Sequence, residues 1–234
     1  MLLYIIRHGD PIYEPDSLTE KGKLQAQALA KRLAVHGLDR IYASPMIRAR
    51  MTAEPTCQLL GMEAKIEEWT SEALAWEGLS VLEPDGRRHW CFQIPNTRLK
   101  NDETLYLDGE WYTAPCFQED YRKPYQRICD ASDEFIARHG YQREGAVYRI
   151  LRPSEERIAV FCHQGFGLTW MSHLLQIPPH IFWSSFDVTH TGLSIFRFEN
   201  SAGGFTNPKC LCFSDTSHIY REGLPMQFEN RIDL

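Results

Sequence analysis

The chain opens on an unbroken apolar run, Leu2-Leu3-Tyr4-Ile5-Ile6, that stops abruptly at Arg7-His8-Gly9. A short run without polar alternation is the pattern of a strand covered on both faces in a parallel sheet. The period then changes. Ser17 and Glu20 have the spacing of a capping box, Leu24, Ala28 and Leu33 share a helical face, and Gly37 supplies a stop. These signals predict a helix over about 19–36. Ile41-Tyr42-Ala43 reads as a second strand, followed by Ser44 as N-cap and Pro45 as the first residue of a helix carrying Arg48 in its first turn.

The same alternation returns late in the chain. Ile158-Ala159-Val160-Phe161-Cys162 is another buried-type strand, ended by a polar, glycine-containing turn, His163-Gln164-Gly165-Phe166-Gly167. Residues 168–175 are expected to be helical ahead of Pro178-Pro179, and residues 193–198 and 209–213 flank Asn200-Ser201-Ala202-Gly203-Gly204 as the arms of a closing hairpin. Strand and helix in alternation, with short connections, predict an open, mostly parallel α/β sheet whose ligands gather outside the carboxyl ends of the strands. Three such ends carry Arg7-His8, Ser44 to Arg48, and His163.

Residues 79–150 break this rhythm. They are rich in aromatics (Trp90, Phe92, Tyr106, Trp111, Tyr112, Phe117, Tyr121, Tyr125) and poor in regular apolar periods. Within them Tyr125, Ile128, Ser132 and Phe135 are helically spaced ahead of Gly140, while Ala146, Tyr148 and Ile150 alternate as on a strand. The expectation is one domain over 1–234 with an inserted, partly helical cap at about 79–150 lying over the active site.

Composition narrows the function. The 234 residues are 43% hydrophobic and 24% charged, as in an ordinary globular domain rather than a disordered chain. A net charge of -6 argues against a nucleic-acid surface but permits a locally positive cleft for a small anion. The opening apolar run is too short for a signal sequence, and no stretch approaches the ~20 apolar residues of a membrane span. Seven scattered cysteines without a C-x-x-C pair fit reduced thiols in a cytoplasmic protein.

A phosphoryl group in transfer spreads charge over its equatorial oxygens, so its catalyst needs a positioned nucleophile and rigid cationic donors. Arg7, Arg48 and His163 supply donors, and a neutral imidazole at His8 is a competent nucleophile near pH 7. The tripeptide alone proves little, since Arg138-His139-Gly140 repeats it at a predicted helix end, where a structural role suffices. A metal site on His8-Gly9-Asp10 lacks a second ligand cluster. Cys162 and His163, as neighbours on a strand, point to opposite faces and make no thiol dyad.

Several separated features match one family in order. They are the strand with Arg7-His8-Gly9, then Leu18-Thr19-Glu20-Lys21-Gly22 with Gln25-Ala26, then Ala43-Ser44-Pro45-Met46-Ile47-Arg48-Ala49 with Thr52-Ala53, and His163 closing a late strand. In these the chain resembles the histidine phosphatase superfamily, in its phosphoglycerate mutase-like branch. The resemblance implies a three-layer α/β/α sandwich, with His8 as the phosphorylated nucleophile and Arg7, Arg48 and His163 around the phosphate. It also implies a Glu that protonates the leaving oxygen. Glu67, Glu68, Glu72 and Glu77 lie in the candidate stretch; Glu72 is chosen because it precedes Trp76-Glu77-Gly78, with Glu77 second.

Two positions depart from the family pattern. Glu14 stands where many members carry a phosphate-binding Asn, and Gln164 follows the late histidine where many have Gly. Gln164 either donates to phosphate or satisfies its turn. His36, His89, His173, His180, His190 and His218 are read as surface or core residues, with Ser214-Asp215-Thr216-Ser217-His218 similar to a segment of close relatives. The expected activity is metal-independent, cofactor-free hydrolysis of a small phosphomonoester. Its rivals are a phosphoglycerate mutase-type isomerase and a catalytically silent binding module. A mutase must retain its monophosphate product, and Glu14 in place of Asn favours release to water.

Overall fold

The computed structural model describes residues 1–82, 85–94, 110–113, 117, 121–228 and 232–233. Tyr106 and Cys116 lie outside these. Six strands form the main sheet: β1 (Leu2–Arg7), β2 (Arg40–Ala43), β3 (Lys65–Ile66), β4 (Arg157–Cys162), β5 (Leu193–Arg197) and β6 (Lys209–Asp215). Their spatial order is β6-β5-β1-β4-β2-β3. The four strands from β1 to β3 are parallel, while β5 runs antiparallel to β1 and to β6. The register pairs Arg7 with Cys162 and Phe161 with Ala43, so three carboxyl ends finish level. The backbone continues that alignment: His8 N–H donates to the Cys162 carbonyl and Ser44 N–H to the Phe161 carbonyl, each at 2.9 Å.

Alternation along the buried strands builds two cores, one on each face of the sheet. Leu3, Ile5, Ile158 and Val160 enter one with Phe135, Phe166 and Trp170; Tyr4, Ile6, Ala159 and Phe161 enter the other with Leu29 and Leu33. Helices α1 (Glu20–Ala34) and α2 (Ile47–Leu60) cover the second face. Helix α3 (Glu72–Leu79), α4 (Arg122–Arg138) and α5 (Gln164–Leu175) cover the first, followed by α6 (Pro179–Trp183) and, beside α1, α7 (Ser217–Arg221). The three-layer α/β/α arrangement is as expected.

The helix ends differ from the sequence reading. Thr19, not Ser17, caps α1, accepting from Gly22 N–H at 3.0 Å, because Ser17 is taken into a short hairpin of Pro11–Ile12 with Ser17–Leu18. Leu24 is 49% exposed; the buried face of α1 runs through Gln25, Ala28, Leu29 and Leu33. Helix α2 begins at Ile47 with Met46 as N-cap, two residues later than predicted, since the Ser44 hydroxyl is bound to His163. Asp16 supplies the missing cap from outside, accepting from Ile47 N–H at 2.7 Å. The glycine-containing turn after His163 is the first turn of α5 itself.

Residues 79–150 divide. Helix α4 and the hairpin Tyr141–Glu144 with Val147–Ile150 bury Phe135, Ile136, Tyr141 and Tyr148 in the same core as Leu3 and Ile5. The rings read as belonging to a cap are in this part the outer layer of the sandwich. The hairpin Ser80–Leu82 with Arg88–Trp90, and Phe92 after it, instead borders the pocket. Among the described residues no helix is long and apolar enough to cross a membrane, and no group of three or more His, Cys, Asp and Glu side chains gathers as for a metal. The six described cysteines are free.

Candidate active site

His8 is 2% exposed and leaves the end of β1 in a turn held from three sides. Gly9 N–H donates to Thr52 Oγ1 of α2 at 2.9 Å, Asp10 N–H to Gln25 Oε1 of α1 at 2.8 Å, and Thr191 N–H to the carbonyls of Arg7 and His8 at 3.1 and 3.2 Å. Gly9 is required here, because a Cβ would stand 2.7 Å from the Gly22 carbonyl oxygen. His8 Nδ1 lies 2.7 Å from the Gly9 carbonyl oxygen. A carbonyl only accepts, so Nδ1 carries the proton and Nε2 keeps its lone pair. Burial, then His163, Arg7 and Arg48, hold His8 well below the usual imidazole pKa, so it stays neutral.

Around it stand the donors expected from sequence. The His163 ring centroid is 5.2 Å from that of His8, a spacing that one phosphate-sized anion can share. Its Nε2 meets Ser44 Oγ at 2.7 Å, and burial with Arg48 and Arg7 nearby keeps it neutral too. Arg7 donates to the Val188 carbonyl at 2.6 Å, and Arg48 to Asp16 at 2.8 Å. Both guanidiniums are buried. Three polar atoms of this group have no protein partner among the described residues: Arg7 Nε, Arg48 Nε and His163 Nδ1. Buried donors without acceptors are costly, and here they surround one imidazole.

Glu72 opens α3 and reaches the start of α5, where its two carboxylate oxygens accept from Gly165 N–H and Phe166 N–H, each at 3.0 Å. Burial raises its pKa, against the opposing pull of those N–H groups and of Arg48 and Arg7. Glu72 lines the pocket with Arg7, His8, Arg48 and Gln164, whereas Glu77 is exposed and Glu67 is paired with Arg138 at 2.8 Å. The Gln164 amide nitrogen donates to Asp187, which also accepts from Val188 N–H, so one of its donors is tied to the loop that holds Arg7. Glu14 is exposed and does not line the pocket; Tyr13 does, with Arg48 5.5 Å from its ring centroid. The second tripeptide ends α4, with Gly140 at φ +98, as its structural reading required.

Sequence reasoning missed His190, whose ring lies 5.8 Å from that of His8. It is 4% exposed, and burial ahead of Arg7 and Lys21 lowers its pKa to about 2. It also missed the support behind the turn: Thr191, in the left-handed region at φ +55, is 3.0 Å from His218 Nε2 through its hydroxyl. His218 thus has a place, on α7, behind the backbone of His8. No local pattern marks these residues, which β5 brings back beside β1 from far along the chain.

The pocket has a volume of about 430 Å3. A larger cavity, about 500 Å3, lies between α1 and α7, where Lys31 pairs with Glu222 at 2.5 Å and Arg32 with Asp215.

Comparison with known proteins identifies the family and the fold. A family model, the histidine phosphatase superfamily (branch 1), matches residues 3–208. Phosphoserine phosphatase 1 of Hydrogenobacter thermophilus is 29% identical over 44% of this chain and 56% of that protein, so the match spans little more than half of that curated relative. Among solved structures, phosphoserine phosphatase of Entamoeba histolytica, as a mutant in complex with phosphoserine, is similar at a TM-score of 0.62 and 19% identity, covering 93% of this chain and 98% of that one. YhfR of Bacillus stearothermophilus is similar at 0.61 and 21%, with coverages of 93% and 98%. A mycobacterial glucosyl-3-phosphoglycerate phosphatase is similar at 0.60 and 17%, covering 91% and 98%. At these identities the structural likeness is one of fold.

Proposed function

This chain belongs to the histidine phosphatase superfamily (branch 1), and we propose that it hydrolyses a small phosphomonoester through a phosphohistidine on His8. The observation that carries the reading is the trio of buried, partnerless donors on Arg7, Arg48 and His163 around an imidazole whose Nε2 is free to attack. An anion with several oxygens satisfies all three at once. The names of the similar proteins, phosphoserine phosphatase and glucosyl-3-phosphoglycerate phosphatase, support a phosphate ester.

The reaction runs in two displacements. His8 Nε2 forms a bond to phosphorus as the bond to the ester oxygen breaks, while the guanidiniums and His163 hold the equatorial oxygens. With the Ser44 hydroxyl donating to His163 Nε2, the His163 proton sits on Nδ1 and points a donor at the phosphoryl group. Glu72 gives its proton to the leaving oxygen, for which a raised pKa suits it. Water then attacks phosphorus, giving a proton back to Glu72 as the N–P bond breaks, and phosphate leaves. The positive charge comes from Arg7 and Arg48, with His163 donating as a neutral group, and no step calls for a metal.

Rapid quench of the enzyme with a radiolabelled ester tests this. A phosphoprotein that is stable in base, labile in acid and located on His8 is expected, with both label and turnover lost in His8→Ala. Near-normal hydrolysis by that variant rejects the nucleophile.

A further inference from the structure

The pocket has two unlike ends. One holds Arg7, His8, Arg48 and Glu72, with Tyr13 beside Arg48; the other is walled by Trp76, Trp90 and Phe92. The wall is a built surface rather than a scatter of exposed rings. Trp90 and Phe92 stack at 5.4 Å and 17°, and Trp76 meets Trp90 edge-on at 4.8 Å. Both stacked rings rest on the first turn of α5: a Cβ at Gly165 would come within 2.8 Å of Trp90 and 3.0 Å of Phe92. Gln93 fixes the backbone at the same point, accepting from Trp90 N–H at 3.0 Å. The wall is therefore seated on the residue whose N–H holds Glu72.

Charge divides the same way. Among the described residues lining the pocket the only cations are Arg7 and Arg48, both at the phosphate end, and the one carboxyl is that of Glu72. Among the described residues, a substrate carboxylate or second phosphate placed against the aromatic wall meets no cation there. Losing its water without a partner disfavours it strongly, whereas a flat apolar group gains burial and ring contacts.

Resting on the reading of this site as a phosphomonoester hydrolase, we propose that its substrate carries an uncharged, aromatic alcohol moiety, stacked on the wall of Trp90, Phe92 and Trp76. Carboxylated esters of the phosphoserine and phosphoglycerate kind are discriminated against. Trp90 is then a specificity-determining residue that touches the leaving group.

Leaving-group chemistry must be held constant in the test, so every ester is that of an alkyl alcohol. The kcat/KM values of 2-phenylethyl phosphate, ethyl phosphate, phosphoserine and 3-phosphoglycerate are compared. A preference for 2-phenylethyl phosphate over each of the others of at least about 30-fold is expected, the scale of a well-filled apolar pocket. The ratio of 2-phenylethyl to ethyl phosphate should collapse in Trp90→Ala and Phe92→Ala and be largely kept in Trp90→Phe. Phosphoserine or 3-phosphoglycerate turned over as efficiently as 2-phenylethyl phosphate overturns the substrate class and leaves the hydrolase reading standing. If no ester is hydrolysed and His8 takes no label, the hydrolase reading fails instead. Calorimetric binding of 2-phenylethylphosphonate against 3-phosphonopropionate then decides the inference: tighter binding of the first supports it, and equal or weaker binding rejects it.

Discussion

One carbonyl oxygen decides the state of His8. By accepting from Nδ1 it leaves Nε2 bare, and the surrounding burial and cations keep the ring neutral well below the ordinary imidazole range. Glu72 is tuned the opposite way, its pKa raised by burial, a direction that suits a proton donor. Glu72→Gln should slow alkyl phosphate esters by about 100- to 10,000-fold in kcat and nitrophenyl phosphate far less, because only a poor leaving group needs the proton. The pH profile should lose its alkaline fall in the same variant. A leaving-group dependence of that kind in Glu77→Gln instead would reassign the acid. Arg7, His8, Arg48 and His163 were legible in sequence because each follows a buried strand or opens the helix after one. His190 was not, since its approach to His8 depends on β5 folding back antiparallel along β1, which no short spacing records.

At the level of elements, the turn at His8 is fixed by the close approach of α1. A Cβ at Gly22 would stand 2.2 Å from the Asp10 carbonyl oxygen, so the helix seats on the turn only through glycine, while Gln25 and Thr52 tie down the next two N–H groups. Gly22→Ala must therefore push α1 away from His8. The cost is that of overpacking, about 1–3 kcal/mol, or roughly 2–4 °C in Tm per kcal/mol for a chain of this size. Calorimetry and steady-state kinetics on one preparation check both halves: Tm and kcat should fall together, and an unchanged kcat would show that the turn does not depend on α1. The strands and main helices were visible from their periods. Their caps were not, because Ser17 and Ser44 each have a hydroxyl suited to capping, yet one enters a hairpin and the other serves His163.

The whole molecule carries several histidines that fold as neutral groups. Burial lowers His180 and His218 to about 4 and His190 to about 2. In the unfolded chain each titrates near ~6.5. Below that value the unfolded state binds protons the folded state refuses, so stability is full above it and drains as pH falls, toward about 4 for two of them and about 2 for the third. Each contributes on the order of 1 kcal/mol per pH unit. Thermal unfolding from pH 7.5 to 5 should show Tm falling steadily below about pH 6.5, and His190→Gln should flatten the slope; a Tm that holds level to pH 5 contradicts the account. At this scale the parallel sheet and the convergence of its strand ends could be anticipated from hydrophobic runs. The fate of 79–150 could not, because ring content alone does not tell Phe135, Tyr141 and Tyr148, which fill the core, from Trp90 and Phe92, which face the pocket.

That division of labour has a consequence for how such an enzyme changes over generations. The phosphate cradle is anchored in level strand ends, where almost any substitution disturbs the sheet. Much of the opposite wall comes from a short hairpin and the residues just after it, inserted between α3 and α4 and resting on the backbone of Gly165. Changes at Trp90 or Phe92 can redirect which ester is accepted while the transfer machinery is inherited intact, so new substrates are reached by drift in the wall rather than by reinvention of the catalyst.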